Sequence, residues 1–152
     1  MRIKCVILLA LCCAAGCGKT TSVDLEQQAL RSALADYFSA QHWQGKPCYL
    51  RKNEFAVAPE YPLADGQPPA KVIGLDDLKT LAKGRTFGPE WTIATCKRET
   101  KDGKDIIYVD LGTTQEKLDP DSPLGAYGRG KGYAFEINGN LITLVDSTEW
   151  KE

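Results

Sequence analysis

Residues 133–145 read Tyr-Ala-Phe-Glu-Ile-Asn-Gly-Asn-Leu-Ile-Thr-Leu-Val, and this stretch decides the fold. Residues that favour strands lie on both sides of Asn138-Gly139, a dipeptide typical of the tight turn between two antiparallel strands. The stretch therefore predicts a β-hairpin with its turn at Asn138 and Gly139.

A second hairpin is predicted earlier in the chain. Residues 91–97, Trp-Thr-Ile-Ala-Thr-Cys-Lys, and residues 106–111, Ile-Ile-Tyr-Val-Asp-Leu, are rich in strand formers. Asp102-Gly103 lies between them and favours a turn. The two hairpins together predict an antiparallel sheet of about four strands, and residues 55–58 are a further, short strand candidate.

The N-terminal half has helical periodicity instead. Apolar residues recur every three or four positions from Leu25 to Phe38, which predicts an amphipathic helix from about Thr21 to Ala40. Residues 74–83 predict a shorter helix that ends at Gly84. Helices followed by strands indicate an α+β fold, with a long N-terminal helix and a second short helix packed on one face of the sheet.

Glycines alternate with large side chains in residues 125–134, Gly-Ala-Tyr-Gly-Arg-Gly-Lys-Gly-Tyr-Ala. In a strand this alternation leaves one face nearly bare and crowds the other. A bare strip allows the close approach of a ligand, a helix or another backbone. One interpretation is therefore a binding surface for an anionic or sugar-bearing partner, and the other is tight packing or bending of the strand. The candidate binding residues are Trp91, Tyr127, Arg129, Lys131 and Tyr133.

The extreme N-terminus has the features of an export signal. Arg2 and Lys4 precede an uncharged apolar run, and small residues follow it. The run is too short to span a bilayer, which takes about 20 residues. Its end, Ala14-Ala15-Gly16-Cys17, resembles the lipobox of bacterial lipoproteins, although Ala14 stands where that family usually has Leu. Cleavage by an ordinary signal peptidase is the alternative.

The resemblance implies a lipid anchor. Cys17 would carry a diacylglycerol on its sulfur, and its new amino group would receive a further acyl chain such as palmitate. Two or more chains give stable membrane attachment. Gly18, which is not Asp, implies retention in the outer membrane, facing the periplasm. The predicted organisation is a signal peptide at 1–16, a lipidated tether at 17–22 and a single α+β domain at 23–152.

Two cysteines, Cys48 and Cys96, remain after Cys17 and the cysteines of the signal are set aside. An even pair in a chain bound for an oxidising compartment predicts a disulfide. The alternative is two free buried thiols, which behave as small apolar residues.

The net charge and the motifs of the sequence limit the classes of function that it can have. The chain has 19 basic and 20 acidic residues, and loss of Arg2 and Lys4 with the signal leaves a formal net charge of −3. That balance predicts no nucleic-acid partner. His42 is the only histidine, and no catalytic motif, cofactor motif or metal-ligand spacing is present.

We therefore expect a non-enzymatic lipoprotein that acts by protein contact, as an envelope assembly subunit or an inhibitor or immunity-type lipoprotein. The alternative is a lipoprotein that binds a small ligand or a cell-wall glycan.

Overall fold

The computed structural model describes residues 22–64, 66–117 and 128–151. The predicted signal peptide, Cys17 and Tyr127 lie outside the described residues. Within the described ranges, no helix combines the length and the apolar character needed to cross a bilayer.

The first helix, α1, spans Ser22–Tyr37. Its buried residues follow the predicted stripe because one face packs on the sheet. They are Leu25, Ala29, Leu30, Ala33, Leu34 and Tyr37. The chain then turns through Phe38 into a short 3₁₀ turn, Gln41–Trp43, whose Trp43 is buried. Edge-on contacts between Phe38 and Trp43, with ring centroids 4.9 Å apart, fix the end of the helix against the sheet.

The sheet has seven strands, not about four, and it is mixed rather than antiparallel. The strands are β1 Tyr49–Arg51, β2 Glu60–Tyr61, β3 Ala70–Ile73, β4 Phe87–Lys101, β5 Lys104–Lys117, β6 Gly128–Asn138 and β7 Leu141–Lys151. Their order across the sheet is β2-β3-β1-β4-β5-β6-β7. β1 runs parallel to both of its neighbours, and the other pairs are antiparallel.

Both predicted hairpins are confirmed, and both are longer than predicted. β4 and β5 meet at Asp102 and Gly103, which have φ angles of 53° and 77°. β6 and β7 meet at Asn138-Gly139, with φ 64° at the glycine. Positive φ at these positions is the reason that Asp-Gly and Asn-Gly predict such turns.

The strand predicted at residues 55–58 is wrong. The Asn53 side chain accepts hydrogen bonds from the backbone N–H groups of Phe55 and Ala56, at 3.0 and 2.9 Å. These bonds close a local turn and satisfy N–H groups that a strand would direct to a neighbour. The segment instead lies beneath α1, where the Gln27 side chain donates a bond to the Phe55 carbonyl.

The second helix, α2, spans Leu75–Ala82 and lies on the other face of the sheet from α1. On β4, Trp91 packs with Leu78 of α2 and Ile73 of β3 in one cluster, whereas Ala94 belongs to the larger cluster beneath α1. Odd and even residues of a strand point to opposite faces. The predicted arrangement, with both helices on one face of a four-stranded sheet, is therefore wrong.

The predicted disulfide is also corrected, because Cys48 and Cys96 are both free thiols. Leu50 lies opposite Thr92 in the parallel pair of β1 and β4. Cys48 precedes Leu50 by two residues and Cys96 follows Thr92 by four, so they are about 20 Å apart along the strands. A disulfide needs Cα atoms within about 7 Å. Burial raises the pKa of both thiols, to about 11 for Cys96.

Candidate functional site

Strand β6 has the alternation that the glycine-rich sequence predicts. In register with β5, Arg129 lies opposite Thr113 and Tyr133 lies opposite Val109. Both partners are buried on the face that packs against α1, called here the α1 face. Gly130 and its alternate glycines therefore lie on the opposite face. The large side chains of β6 are thus directed toward α1, beside its C-terminal end.

A cleft of about 320 Å³ opens where α1 ends over β6 and β7. Its lining residues come from α1, the 3₁₀ turn and these two strands. They are Asp36, Tyr37, Ala40, His42, Arg129, Gly130, Lys131, Glu149, Trp150 and Lys151. Most of these side chains are polar or charged, which distinguishes the cleft from the apolar interior beside it.

Asp36 connects α1 to β6 inside the cleft. Lys131 Nζ lies 2.8 Å from its carboxylate, and the Tyr133 hydroxyl donates to the same oxygen at 2.9 Å. The hydrogen bond from Lys131 is the main cause that lowers the pKa of Asp36. Burial, reinforced by the bond to Asp36, raises the pKa of Tyr133. Asp36 is therefore ionised at neutral pH and Tyr133 is a neutral donor.

Arg129 is held in a fixed orientation by two contacts. Its guanidinium donates to Glu90 of β4 at 3.0 Å and lies over the Trp43 ring, 5.0 Å from the centroid. A planar guanidinium on an indole face is a favourable cation–π geometry. The side chain is 29% exposed, so this preoriented cation still faces the cleft.

A buried chain of hydroxyl groups lies beneath Arg129. The Tyr37 hydroxyl donates to Thr113 Oγ1 at 2.8 Å, and Thr113 and Thr92 share a 2.6 Å hydrogen bond. Thr92, Thr113, Arg129 and Lys151 lie side by side across β4 to β7. Burial raises the pKa of Tyr37, so its hydroxyl remains a neutral donor.

His42 and Lys151 lie at the mouth of the cleft and are exposed. Partial burial and then the charge of Arg129 lower the pKa of His42, and Lys46 and Lys151 add to the effect against the opposing charge of Glu90. A neighbouring cation lowers a histidine pKa by disfavouring the imidazolium. Three cations, Arg129, Lys46 and Lys151, are therefore close enough to act on His42.

The structure brings together Arg129, Lys131 and Tyr133 of the predicted binding set. Trp91 lies on the other face, 1% exposed beneath α2, where Arg51 covers its ring at 5.3 Å. It is a core residue and cannot contribute to the cleft. Tyr127 lies outside the described residues.

Of the charged side chains that line the cleft, the candidate set from the sequence lacks three, Asp36, Glu149 and Lys151. Asp36 lies on the polar side of the predicted helix. Its position near the C-terminal end of α1 is the one feature of the sequence that indicates a contact with the sheet. Glu149 and Lys151 belong to β7, which the sequence predicts to end at residue 145 but which continues to Lys151.

The opposite face at β5–β7 holds a different arrangement. The Trp150 indole lies on the glycines of β6 and β5: a Cβ on Gly112 or Gly128 would be 3.2 or 3.6 Å from its ring, and one on Gly130 would collide with it. A Cβ on Gly132 would lie 2.7 Å from the Asp110 carboxylate. The glycines are thus needed because side chains of neighbouring strands occupy the space above them.

Among the residues that the structure describes, no group of three or more histidine, cysteine, aspartate or glutamate side chains is placed to hold a metal ion. No family model, no curated protein and no solved structure matches the chain.

Proposed function

We propose that this chain is a lipid-anchored lipoprotein of the outer membrane, facing the periplasm, that acts without catalysis by contacting another envelope protein. The observation that supports the contact role is the cleft at the end of α1. It presents Arg129 and Lys131 in fixed positions, with Lys151 exposed at its mouth.

A contact surface fits the structure better than an enclosed ligand pocket. The space between α1 and the sheet is filled by side chains such as Leu34, Val109 and Leu111, all fully buried. The cleft lies outside that filled core, and its fixed charges rest on it. Preorganised side chains on a rigid support reduce the entropy lost on association.

The charges of the cleft also favour contact over catalysis. Asp36 is paired with Lys131 and Glu90 with Arg129, which commits both carboxylates to structural ion pairs. Partial burial and then the surrounding cations lower the pKa of His42, and its ring packs against Trp43 with centroids 5.1 Å apart. The positive charges near His42, on Arg129, Lys46 and Lys151, are suited to an acidic segment of a partner protein, which they would attract and orient.

The anchor is tested by the variant Cys17→Ala. We expect this variant to lose membrane attachment and the lipidated wild-type chain to begin at Cys17, because the sulfur is the predicted point of attachment. Fractionation of cells and mass spectrometry of the mature N-terminus measure both. An unmodified N-terminus, or equal membrane partitioning of the two proteins, contradicts the anchor.

The contact role is tested by reversing one charge at the cleft mouth. We expect Lys151→Glu to weaken capture of the partner in envelope extracts, because a carboxylate there repels an acidic segment. Lys101→Glu is the matched control, an exposed lysine at the distant turn between β4 and β5. Quantitative pull-down with the full chain compares them. Equal capture by both variants contradicts contact through the cleft.

A further inference from the structure

Trp150 borders the cleft, and its ring lies on the opposite face of the sheet, over the glycines of β5 and β6. One side of its indole rests on the strip formed by Gly112, Gly128 and Gly130. The residue is 38% exposed, so the other side of the ring faces solvent. A large aromatic side chain supported from behind by bare backbone is a rigid platform rather than a mobile surface group.

A groove of about 220 Å³ continues from this platform along β5–β7. Gly132 forms part of its floor, and Tyr108, Asp110, Asp146 and Thr148 are among the residues that line it. Trp150 and Thr148 are two residues apart on β7 and share this face. Two rows further along the strands, Tyr108 of β5 and Asp146 of β7 both lie opposite Ala134 of β6. This row is about 13 Å from the row of Trp150.

The groove offers two kinds of contact in alternation. Tyr108 provides an aromatic ring at one end of the groove, and the Trp150 ring lies one row beyond the other end. Asp110 and Asp146 provide carboxylates between and beside them, and within the described residues neither carboxylate has a hydrogen-bond or ion-pair partner. Carboxylate oxygens that lack a protein donor are free to accept hydrogen bonds from a ligand.

We infer that this groove binds a neutral saccharide of more than one ring. A sugar ring has an apolar face of C–H groups, which stacks on the electron-rich face of an indole, and a rim of hydroxyl donors suited to aspartate oxygens. The two unpaired carboxylates disfavour an anionic ligand by like-charge repulsion.

This inference is independent of the lipid anchor and of the protein contact proposed above. Trp150 and Gly130 also border the cleft, but the groove uses the Trp150 ring, Tyr108 and the two aspartates on the other face of the sheet. It assigns to the chain a second binding activity, for which the cleft residues Arg129 and Lys131 are not needed.

The three tryptophans make fluorescence a direct test. Trp43 and Trp91 are 3% and 1% exposed, so changes in solvent quenching report on Trp150. The full chain, purified in a detergent that contains no sugar, is titrated with chitotriose and with cellotriose. We expect at least one of these neutral trisaccharides to shift the emission and to protect it from iodide, and glucuronic acid to have no effect.

Variants then locate the site. We expect Asp110→Asn to weaken binding about tenfold while leaving the fold intact, because it replaces a charged acceptor without changing the shape of the side chain. Trp150→Phe should retain weaker binding, which is followed by chemical-shift changes in the β5–β7 amides. Leu141→Ala, another exposed apolar residue of β7, is the control and should bind as the wild type does.

Two outcomes overturn the inference. One is the absence of any response to either trisaccharide, and the other is unchanged binding by Asp110→Asn. Lys151→Glu, the variant that tests the protein contact, is also titrated with the trisaccharides. If it binds them as the wild type does, saccharide binding does not depend on the protein contact. Binding of oligolysine in place of the sugars also counts against a saccharide site.

Discussion

The two faces of the sheet at β5–β7 are formed by the same strands but differ in what packs against them. On the α1 face, charged and hydroxyl side chains lie beside a helix and are paired, as in Lys131 with Asp36 and Tyr37 with Thr113. On the opposite face no helix of the described residues covers Gly130, and Trp150 lies there instead. The alternation of large residues and glycines in β6 therefore fits both faces. The large residues contact α1, and the glycines leave space for the side chains of neighbouring strands.

The largest expected effect tests the glycine strip. Gly130→Ala should lower the free energy of unfolding by about 3 kcal/mol, because the added Cβ collides with the Trp150 ring and with the Leu111 carbonyl oxygen. Gly128→Ala is the matched control, since its Cβ would make an ordinary 3.6 Å contact with the same ring. Urea denaturation measures both variants, and equal stability of the two would mean that Trp150 does not occupy the strip.

A smaller effect is expected from the buried hydroxyl chain of the α1 face. Thr113→Val keeps the shape of the side chain but leaves Thr92 and Tyr37 without their 2.6 and 2.8 Å partner. The loss should be about 2 kcal/mol, the cost of unsatisfied buried polar groups. Thr148→Val makes the same change at an exposed position on the opposite face and should be nearly neutral. Similar losses in the two variants would contradict the difference between the faces.

The ion pair between α1 and β6 gives a smaller, pH-dependent effect. Asp36→Asn should lower stability by about 0.5 kcal/mol at neutral pH, a modest amount because the carboxylate is 50% exposed. The folded-state pKa of Asp36 is lowered, so its contribution is present above the unfolded value of 3.8 and is lost as the pH falls through the folded value. The two proteins should therefore converge in acid, and a difference that persists there would count against the pairing.

The smallest effect concerns His42, the only histidine and hence an unambiguous NMR probe. Lys151→Gln should raise its pKa, because the charge of Lys151 contributes to lowering it. Lys101→Gln, at the distant turn, should leave it unchanged. Titration of the imidazole resonances measures the change, and an identical pKa in both variants would show that the mouth of the cleft is not electrostatically coupled to β7.

The parts of the fold that the sequence predicts are those with strong local signals. The stripe of α1 and the turns at Asp102-Gly103 and Asn138-Gly139 depend on residues close together in the chain. The strands β1 to β3 have two to four residues each and are stabilised by pairing with distant partners, so they lack a readable period. The side of the sheet on which α2 packs is likewise set by distant contacts, between Leu78 and Gly88 or Trp91.

The candidate site follows the same rule: its local features are predicted from the sequence, and its distant contacts are not. Alternation places Arg129, Lys131 and Tyr133 on one face from sequence alone, and the structure agrees. It cannot show which face the helix covers, and so Asp36 was missed and Trp91 was wrongly included. The glycine alternation predicts space for a ligand, a helix or another backbone, whereas the nearest occupant is Trp150, a residue of the neighbouring strand about 20 positions later.

The packing of α1 has a consequence for how the chain reaches its native state. The helix is the first element of the described residues, yet the Tyr133 hydroxyl that bonds Asp36 belongs to a residue 97 positions later. Contacts between distant parts of a chain slow folding. A nascent chain therefore carries the apolar stripe of α1 uncovered until nearly all of its strands have been made, and this interval is when a chaperone would have the most to bind.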